Sequence, residues 1–162
     1  SPTALILTNV LASLMLQVVL MVIVLFVFFV GGVELRWTLV LIPYYMICLG
    51  CLGFVIALMV SPFAARSTDI AQAVNSLLLV WFWASPIIWK VEILPAELMP
   101  VAWLNPFYYV IEGYRSIMLY GDVFQVSLSH HLSFWAMVLC LGLTGRLALT
   151  RSASNLREWL IR

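Results

Sequence analysis

The sequence has 162 residues, of which 65% are hydrophobic and 9% are charged, and its formal net charge is +1. A mean hydropathy of +1.11 is too high for a chain that covers its surface with polar groups in water. The composition therefore excludes an ordinary soluble domain and predicts an integral membrane protein whose partners include membrane lipids and no nucleic acid.

Four apolar runs reach the length of about 20 residues that a helix needs to cross ~30 Å of hydrocarbon. Each run must be helical, because an isolated strand would leave backbone groups unpaired in lipid. We therefore predict an all-α integral membrane protein with about four transmembrane helices in a single transmembrane domain, residues 1–162. The spans are predicted at about residues 5–30, 38–60, 70–88 and 132–149.

The distribution of charge predicts the orientation of these spans. The connection between the second and third spans and the C-terminal tail contain five arginines and two acidic residues, whereas acidic residues outnumber basic ones on the opposite side. Because lysine and arginine are enriched on the cytoplasmic side, we expect both ends of this chain in the cytoplasm. The chain begins with Ser1 close to a span, so we expect it to be a piece of something longer.

A polar and interrupted segment, residues 89–122, lies between the third and fourth spans. Pro95 suits the start of a short helix, and Asn105 and Pro106 are a good N-cap and first residue for a second one, which ends at Gly121. Neither helix is long enough to cross a bilayer alone. We predict a re-entrant helical hairpin, residues 95–120, on the outer side before the last span.

Charged and aromatic residues of the second short helix form a candidate outer gate. Glu112 and Arg115 are three positions apart and can pair, and Tyr108 lies on the same face. One interpretation is a charge pair that only anchors the hairpin. The functional interpretation is that the pair, with Tyr108, Tyr109 and Tyr114, holds an outer gate closed and meets the substrate as it leaves.

Three tryptophans, Trp81, Trp83 and Trp89, surround the end of the third span. Pro86 must kink or end the helix there. Tryptophans at a membrane surface commonly form an aromatic belt. The functional alternative is a wall for stacking sugar rings, whose apolar C–H faces suit aromatic planes.

Other reactive residues do not indicate chemistry in this chain. Cys48 and Cys51 have the spacing of a metal or redox pair but no second pair nearby, so we interpret them as part of a small-residue packing surface. His130 and His131 suit a polar anchor at the membrane interface better than a metal site. We expect no catalytic residue, no metal site and no cofactor in this chain.

Four motifs in a fixed order carry a resemblance to a known family. The sequence resembles the C-terminal half of ABC-2-type permeases that export polysaccharides and teichoic acids, most densely between residues 69 and 121. The motifs are Ser85-Pro86-Ile87-Ile88-Trp89, Leu94-Pro95, Leu104-Asn105-Pro106-Phe107-Tyr108-Tyr109 and Glu112-Gly113-Tyr114-Arg115.

The resemblance implies a permease of six spans per subunit, of which this chain holds spans three to six. It implies a homodimer in the cytoplasmic membrane of a bacterium, with a cytoplasmic nucleotide-binding ATPase partner that binds ATP and Mg. The implied substrate is a lipid-linked polysaccharide or teichoic-acid-type glycopolymer. Alternatives are a small-molecule or drug efflux permease and a non-transport membrane scaffold; a membrane-embedded enzyme fits least.

The start of the third span departs from the family pattern. The family commonly has an Arg-Asp pair there, whereas in this sequence Arg66 and Asp69 are separated by Ser67 and Thr68. Asp69 matches the acidic position, and Arg66 lies close to it in sequence. A contact of Arg66 and Asp69 with the ATPase is one interpretation, and stabilisation of the helix dipole by Asp69 is the other.

Overall fold

The structure is a computed structural model that describes residues 2–34, 36–64, 67–121 and 128–161. Of the described residues 88% are helical, and none of them lies in a strand. A helix pairs its own backbone groups and therefore suits a chain that lies in lipid. The predicted all-α fold is confirmed.

Six α-helices follow one another in the described residues, with short 3-10 turns before α2 and before α4. A wider π turn, Ser116–Tyr120, continues α5. The helices are α1 (Pro2–Val30), α2 (Ile42–Ala64), α3 (Thr68–Ala84), α4 (Met99–Trp103), α5 (Pro106–Arg115) and α6 (Leu128–Ile161), and the 3-10 turns are Trp37–Leu41, Val91–Ile93 and Ala96–Leu98.

Three helical stretches in the described residues are long and apolar enough to cross a membrane. They coincide with the first, second and last predicted spans, although α2 and α6 continue beyond the predicted ends. α2 continues through Pro62, which has no N–H to donate to the Leu58 carbonyl; the Ser61 hydroxyl lies 3.4 Å from that carbonyl. The three stretches are Thr3–Val30, Trp37–Ala64 and Ser129–Arg151.

The third predicted span, residues 70–88, corresponds to α3, which has 17 residues. α3 ends at Ala84, earlier than predicted, because Pro86 restricts the residue before it. Ser85 accordingly adopts an extended conformation, with φ −84° and ψ 143°. A membrane crossing by α3 stays a prediction, and none of its residues is buried in this structure.

α2 lies at the centre of the bundle, where it packs against α1, α5 and α6. Tyr44 meets Trp135 near one end of α2, and Leu58 meets Gly145 near the other, so α2 and α6 run parallel. Because Gly145 has no side chain, the backbones of α2 and α6 approach closely there, as helices in lipid commonly do. The buried residues of α2 recur every three or four positions; they are Ile42, Tyr45, Cys48, Leu52, Val55, Leu58 and Pro62.

α1 runs antiparallel to α2. Leu14 lies against Gly50, and Ile6 lines the same groove as Ala57, which is further along α2. At the end of the bundle where α2 ends, Thr3 of α1 lines a cavity together with residues of α2 and of α6, including Leu58 and Leu149. The start of α1, the end of α2 and the later part of α6 therefore lie together.

Candidate functional site

The polar segment that follows α3 packs against the opposite end of the bundle, next to the beginnings of α2 and α6. It starts with the bend at Ser85 and Pro86, both of which are buried. Pro95 precedes a 3-10 turn, and its carbonyl accepts the Leu98 N–H at 2.9 Å. Helical pieces too short to cross a membrane thus occupy the predicted re-entrant region, 95–120.

Asn105 joins α5 to the end of α3. Its Oδ1 accepts the Phe107 N–H at 3.0 Å, which caps α5, and also accepts the Trp81 Nε1–H at 3.2 Å. Its Nδ2 donates to the Ser85 hydroxyl at 2.9 Å. Pro106 takes the first position of α5, where the absence of an N–H has no cost. Asn105 is therefore both a helix cap and a bridge between two segments.

Arg115, in the last turn of α5, makes a second link to the bend after α3. Its guanidinium forms an ion pair with Glu112 and donates to the carbonyl of Pro86 at 2.9 Å and that of Trp89 at 3.4 Å. The Arg115 and Glu112 side chains are only 15% and 17% exposed. The pair is therefore largely withdrawn from solvent, and it holds the bend against α5.

Tyr109 is buried where α5 meets α2 and α6. Its hydroxyl lies 2.8 Å from that of Tyr44 and 2.6 Å from Nδ1 of His131, and the Trp135 Nε1–H donates to the Tyr44 hydroxyl at 3.4 Å. The Tyr109 ring stacks on Phe134 with centroids 4.5 Å apart. Tyr109 is 5% exposed, so most of its ring is covered, and it borders a small cavity together with Tyr108.

Tyr114 connects α5 to α1. The Gln17 side chain donates to its hydroxyl at 2.9 Å, and its ring lies 5.7 Å from that of Tyr45. Burial raises the pKa of the Tyr114 phenol to about 12, and burial is also the main cause of a raised pKa of Tyr109. Both phenols stay protonated at neutral pH and act as hydrogen-bonding groups.

Of the three predicted tryptophans, two share one cavity. Trp81 and Trp89 line a space of about 270 Å³ together with Asn105 and apolar side chains. Trp83 is 60% exposed and does not line it, but its carbonyl accepts the Trp89 Nε1–H at 3.2 Å. Tyr108 does not line the cavity that contains Trp81 and Trp89. It lines a smaller cavity between α5 and α6. The predicted aromatic residues therefore separate into distinct places.

The predicted ATPase contact lies at the start of α3, away from these cavities. Asp69 is exposed in the first turn of α3, which is capped by the Ser67 hydroxyl accepting the Ile70 N–H at 3.1 Å. Arg66 lies outside the described residues. Asp69 is thus placed where a helix dipole favours an acidic side chain.

The polar residues that α1 and α2 contribute to this region were not predicted from the sequence. Tyr44, Tyr45 and Gln17 lie within apolar runs, and Thr38 precedes α2. The Thr38 hydroxyl is buried and donates at 3.0 Å to the Ile117 carbonyl in the π turn. Gln17 could have been identified from the sequence, because an amide side chain inside a membrane span raises the free energy unless it has a hydrogen-bond partner.

Comparison with known proteins identifies the class of the chain. Residues 1–119 match the ABC-2 type transporter family. The match covers most of the chain, so the chain belongs to this family and is a membrane-spanning permease part of an ABC transporter. Permeases of the family are transport subunits that work with an ATPase partner. No curated protein and no solved structure matches the chain.

Proposed function

We propose that this permease exports a lipid-linked polysaccharide or teichoic-acid-type glycopolymer across the bacterial cytoplasmic membrane. It acts as a homodimer, and partner ATPase subunits bind ATP and Mg. The observation that carries the proposal is the cavity of about 270 Å³ between the end of α3 and the segment before α5, with Trp81 and Trp89 in its wall. By charge, we place this end of the bundle on the outer side.

The chemistry of the cavity suits sugar rings that pass through without being fixed in one register. Aromatic planes accept the apolar C–H faces of many sugars. The polar group in the wall, Asn105, already uses its side chain to cap α5 and to bond Trp81 and Ser85. Stacking therefore dominates recognition here, and a repeating polymer needs such tolerance for successive units.

Opening of this end requires the bend and α5 to separate. Arg115 donates hydrogen bonds to the Pro86 and Trp89 carbonyls and also pairs with Glu112. The two bonds to the carbonyls must break when the bend moves away from α5. We assign the pair the role of closing the outer gate between transport cycles. ATP binding on the partner supplies the free energy that opens it.

The test replaces the cavity tryptophans in the full-length permease, expressed with its ATPase. Trp81→Ala and Trp89→Ala each remove one aromatic ring from the wall of the cavity. Because one stacking contact contributes ~0.5–1.5 kcal/mol, we expect each variant to place about 2- to 10-fold less polymer on the cell surface. Trp37→Ala is the matched control, because Trp37 is 72% exposed at the start of the second stretch and does not line this cavity. Normal export by a well-inserted double variant would contradict the proposal.

Export of a small hydrophobic molecule is the second candidate function. The observation that favours it is the remainder of the same wall, which is apolar and includes Leu94, Leu98 and Val101. The same variants separate the two functions. Loss of resistance to lipophilic compounds with normal surface polymer favours small-molecule efflux, and the reverse favours the glycopolymer.

A further inference from the structure

A groove lies at the end of the bundle where α2 ends, between α2, α6 and the start of α1. Its volume is about 590 Å³. Leu139 and Leu143 of α6 line it and are 65% and 64% exposed, so the groove is open to the outside of the bundle. The remaining apolar side chains of its wall suit a hydrocarbon chain; they are Phe54, Val55, Leu58, Val138 and Leu149.

Arg146 adds a positive charge to this apolar groove. It lines the groove, and its side chain is exposed. In the part of the chain that the structure describes, no acidic side chain pairs with it. Arg146 lies near the end of the apolar stretch Ser129–Arg151 but still within it. An arginine inside a membrane span raises the free energy unless it has a partner, so Arg146 calls for a negative group from outside the described residues.

The groove has the depth of one leaflet of a bilayer. From Val138 to Thr150 it follows α6 for ~18 Å at 1.5 Å per residue, and half of a ~30 Å hydrocarbon core is ~15 Å. The orientation predicted from charge places this end of the bundle on the cytoplasmic side. A lipid of that leaflet can therefore lay a chain along the groove while its headgroup lies near Arg146.

Other occupants fit the groove less well. A free anion would leave water for apolar walls, which raises its free energy. A second copy of the chain related by a two-fold axis would bring its own Arg146 towards this one, and like charges repel. An anionic lipid supplies both a negative group for the arginine and a hydrocarbon chain for the walls.

We propose that this groove binds an anionic phospholipid of the cytoplasmic leaflet, with its phosphate on Arg146 and an acyl chain between α2 and α6. A guanidinium can pair with a phosphate through two parallel hydrogen bonds. Because the chain contacts both helices, the lipid stabilises the end of the bundle from which α3 starts. The inference does not depend on the exported substrate, since it requires only the membrane.

The test is native mass spectrometry of the full-length permease assembled with its ATPase and titrated with lipid. The two probes carry the same palmitoyl and oleoyl chains and differ in their headgroups, phosphatidylglycerol or phosphatidylcholine. We expect one saturable site per permease subunit that prefers phosphatidylglycerol by at least about five-fold, because an arginine near the membrane surface attracts net negative charge. Equal affinities, or no saturable site because another protein helix covers the groove, would overturn the inference.

Substitutions of arginine assign the preference to the groove. Arg146→Gln should abolish it, whereas Arg146→Lys keeps the charge and should retain it within about three-fold. Arg151→Gln is the matched control, because Arg151 belongs to the same end of α6 but does not line the groove. A preference that persists in Arg146→Gln, or that Arg151→Gln removes equally, would overturn the inference.

Two further measurements test the acyl part of the site and keep Arg146 in place. Leu143→Trp should weaken binding of both lipids at least about five-fold, because the indole occupies the space of the chain. Leu147→Trp is its control, since Leu147 is 56% exposed and does not line the groove. Glycerophosphoglycerol, the headgroup without acyl chains, should not displace the lipid. Unchanged binding in Leu143→Trp, or displacement by the headgroup alone, would contradict an acyl chain in the groove.

Discussion

Replacement of Arg115 tests how strongly the segment after α3 is held against α5. Arg115 makes two short charge-assisted contacts, to the Glu112 carboxylate and to the Pro86 carbonyl, and a weaker one to the Trp89 carbonyl at 3.4 Å. Each charge-assisted bond contributes ~1.5–3 kcal/mol, and leaving one charge of a buried pair alone costs ~3–5 kcal/mol. We expect Arg115→Gln to lower the free energy of unfolding by about 3 kcal/mol.

Glu112→Gln is the matched variant, because it leaves both carbonyl bonds of Arg115 in place. It should lower the free energy of unfolding by about 1–2 kcal/mol, less than Arg115→Gln, because the Arg115 charge that loses its carboxylate keeps two carbonyl acceptors. The double variant should lose less stability, by about 1–2 kcal/mol, than the sum of the two single losses, because each single variant already breaks the same ion pair.

The measurement is reversible unfolding in mixed detergent micelles, followed by far-UV circular dichroism. Basal ATPase rates of the assembled complex give a second readout, and both single variants should change them if the pair holds the outer gate closed. An Arg115→Gln loss below about 1 kcal/mol, or losses that add within ~0.5 kcal/mol, would refute a coupled pair. Altered stability with unchanged ATPase coupling would leave the pair as an anchor alone.

Two further substitutions test the packing of α5 by the same unfolding measurement. Gly113→Ala should cost about 1–3 kcal/mol, because a Cβ there would overlap the buried ring of Tyr45. Gly53→Ala is its control and should not destabilise, since a Cβ on Gly53 meets nothing within 4 Å; equal losses at both positions would contradict the packing. Asn105→Ala should cost about 1–3 kcal/mol through loss of the cap and bridge, and a loss below ~0.5 kcal/mol would contradict that role.

Local rules predicted much of this fold from the sequence. The lengths of the apolar runs predicted the long helices. These runs are helical because backbone N–H and C=O groups in lipid must form hydrogen bonds within their own segment. Asn105 and Pro106 predicted a helix start that depends only on neighbouring residues, and the structure has α5 begin at Pro106. Gly121 was expected to end the second short helix, and it has a φ of 68°, which favours glycine.

These local rules could not predict contacts between residues that are far apart in the sequence. The position of Tyr109 depends on its meeting Tyr44 and His131, which lie 65 and 22 residues away. A tyrosine on a gate and a tyrosine in a core have the same local sequence pattern, so only the packing of α5 against α2 and α6 separates them.

The link between Arg115 and the bend uses acceptors that every amino acid has. The carbonyls at Pro86 and Trp89 belong to the main chain, so related permeases can exchange those side chains and keep the link while the bend keeps its shape. Pairwise covariation between homologues reports side chains that change together. It should therefore detect positions 112 and 115 as a pair and miss the connection from 115 to 86 and 89.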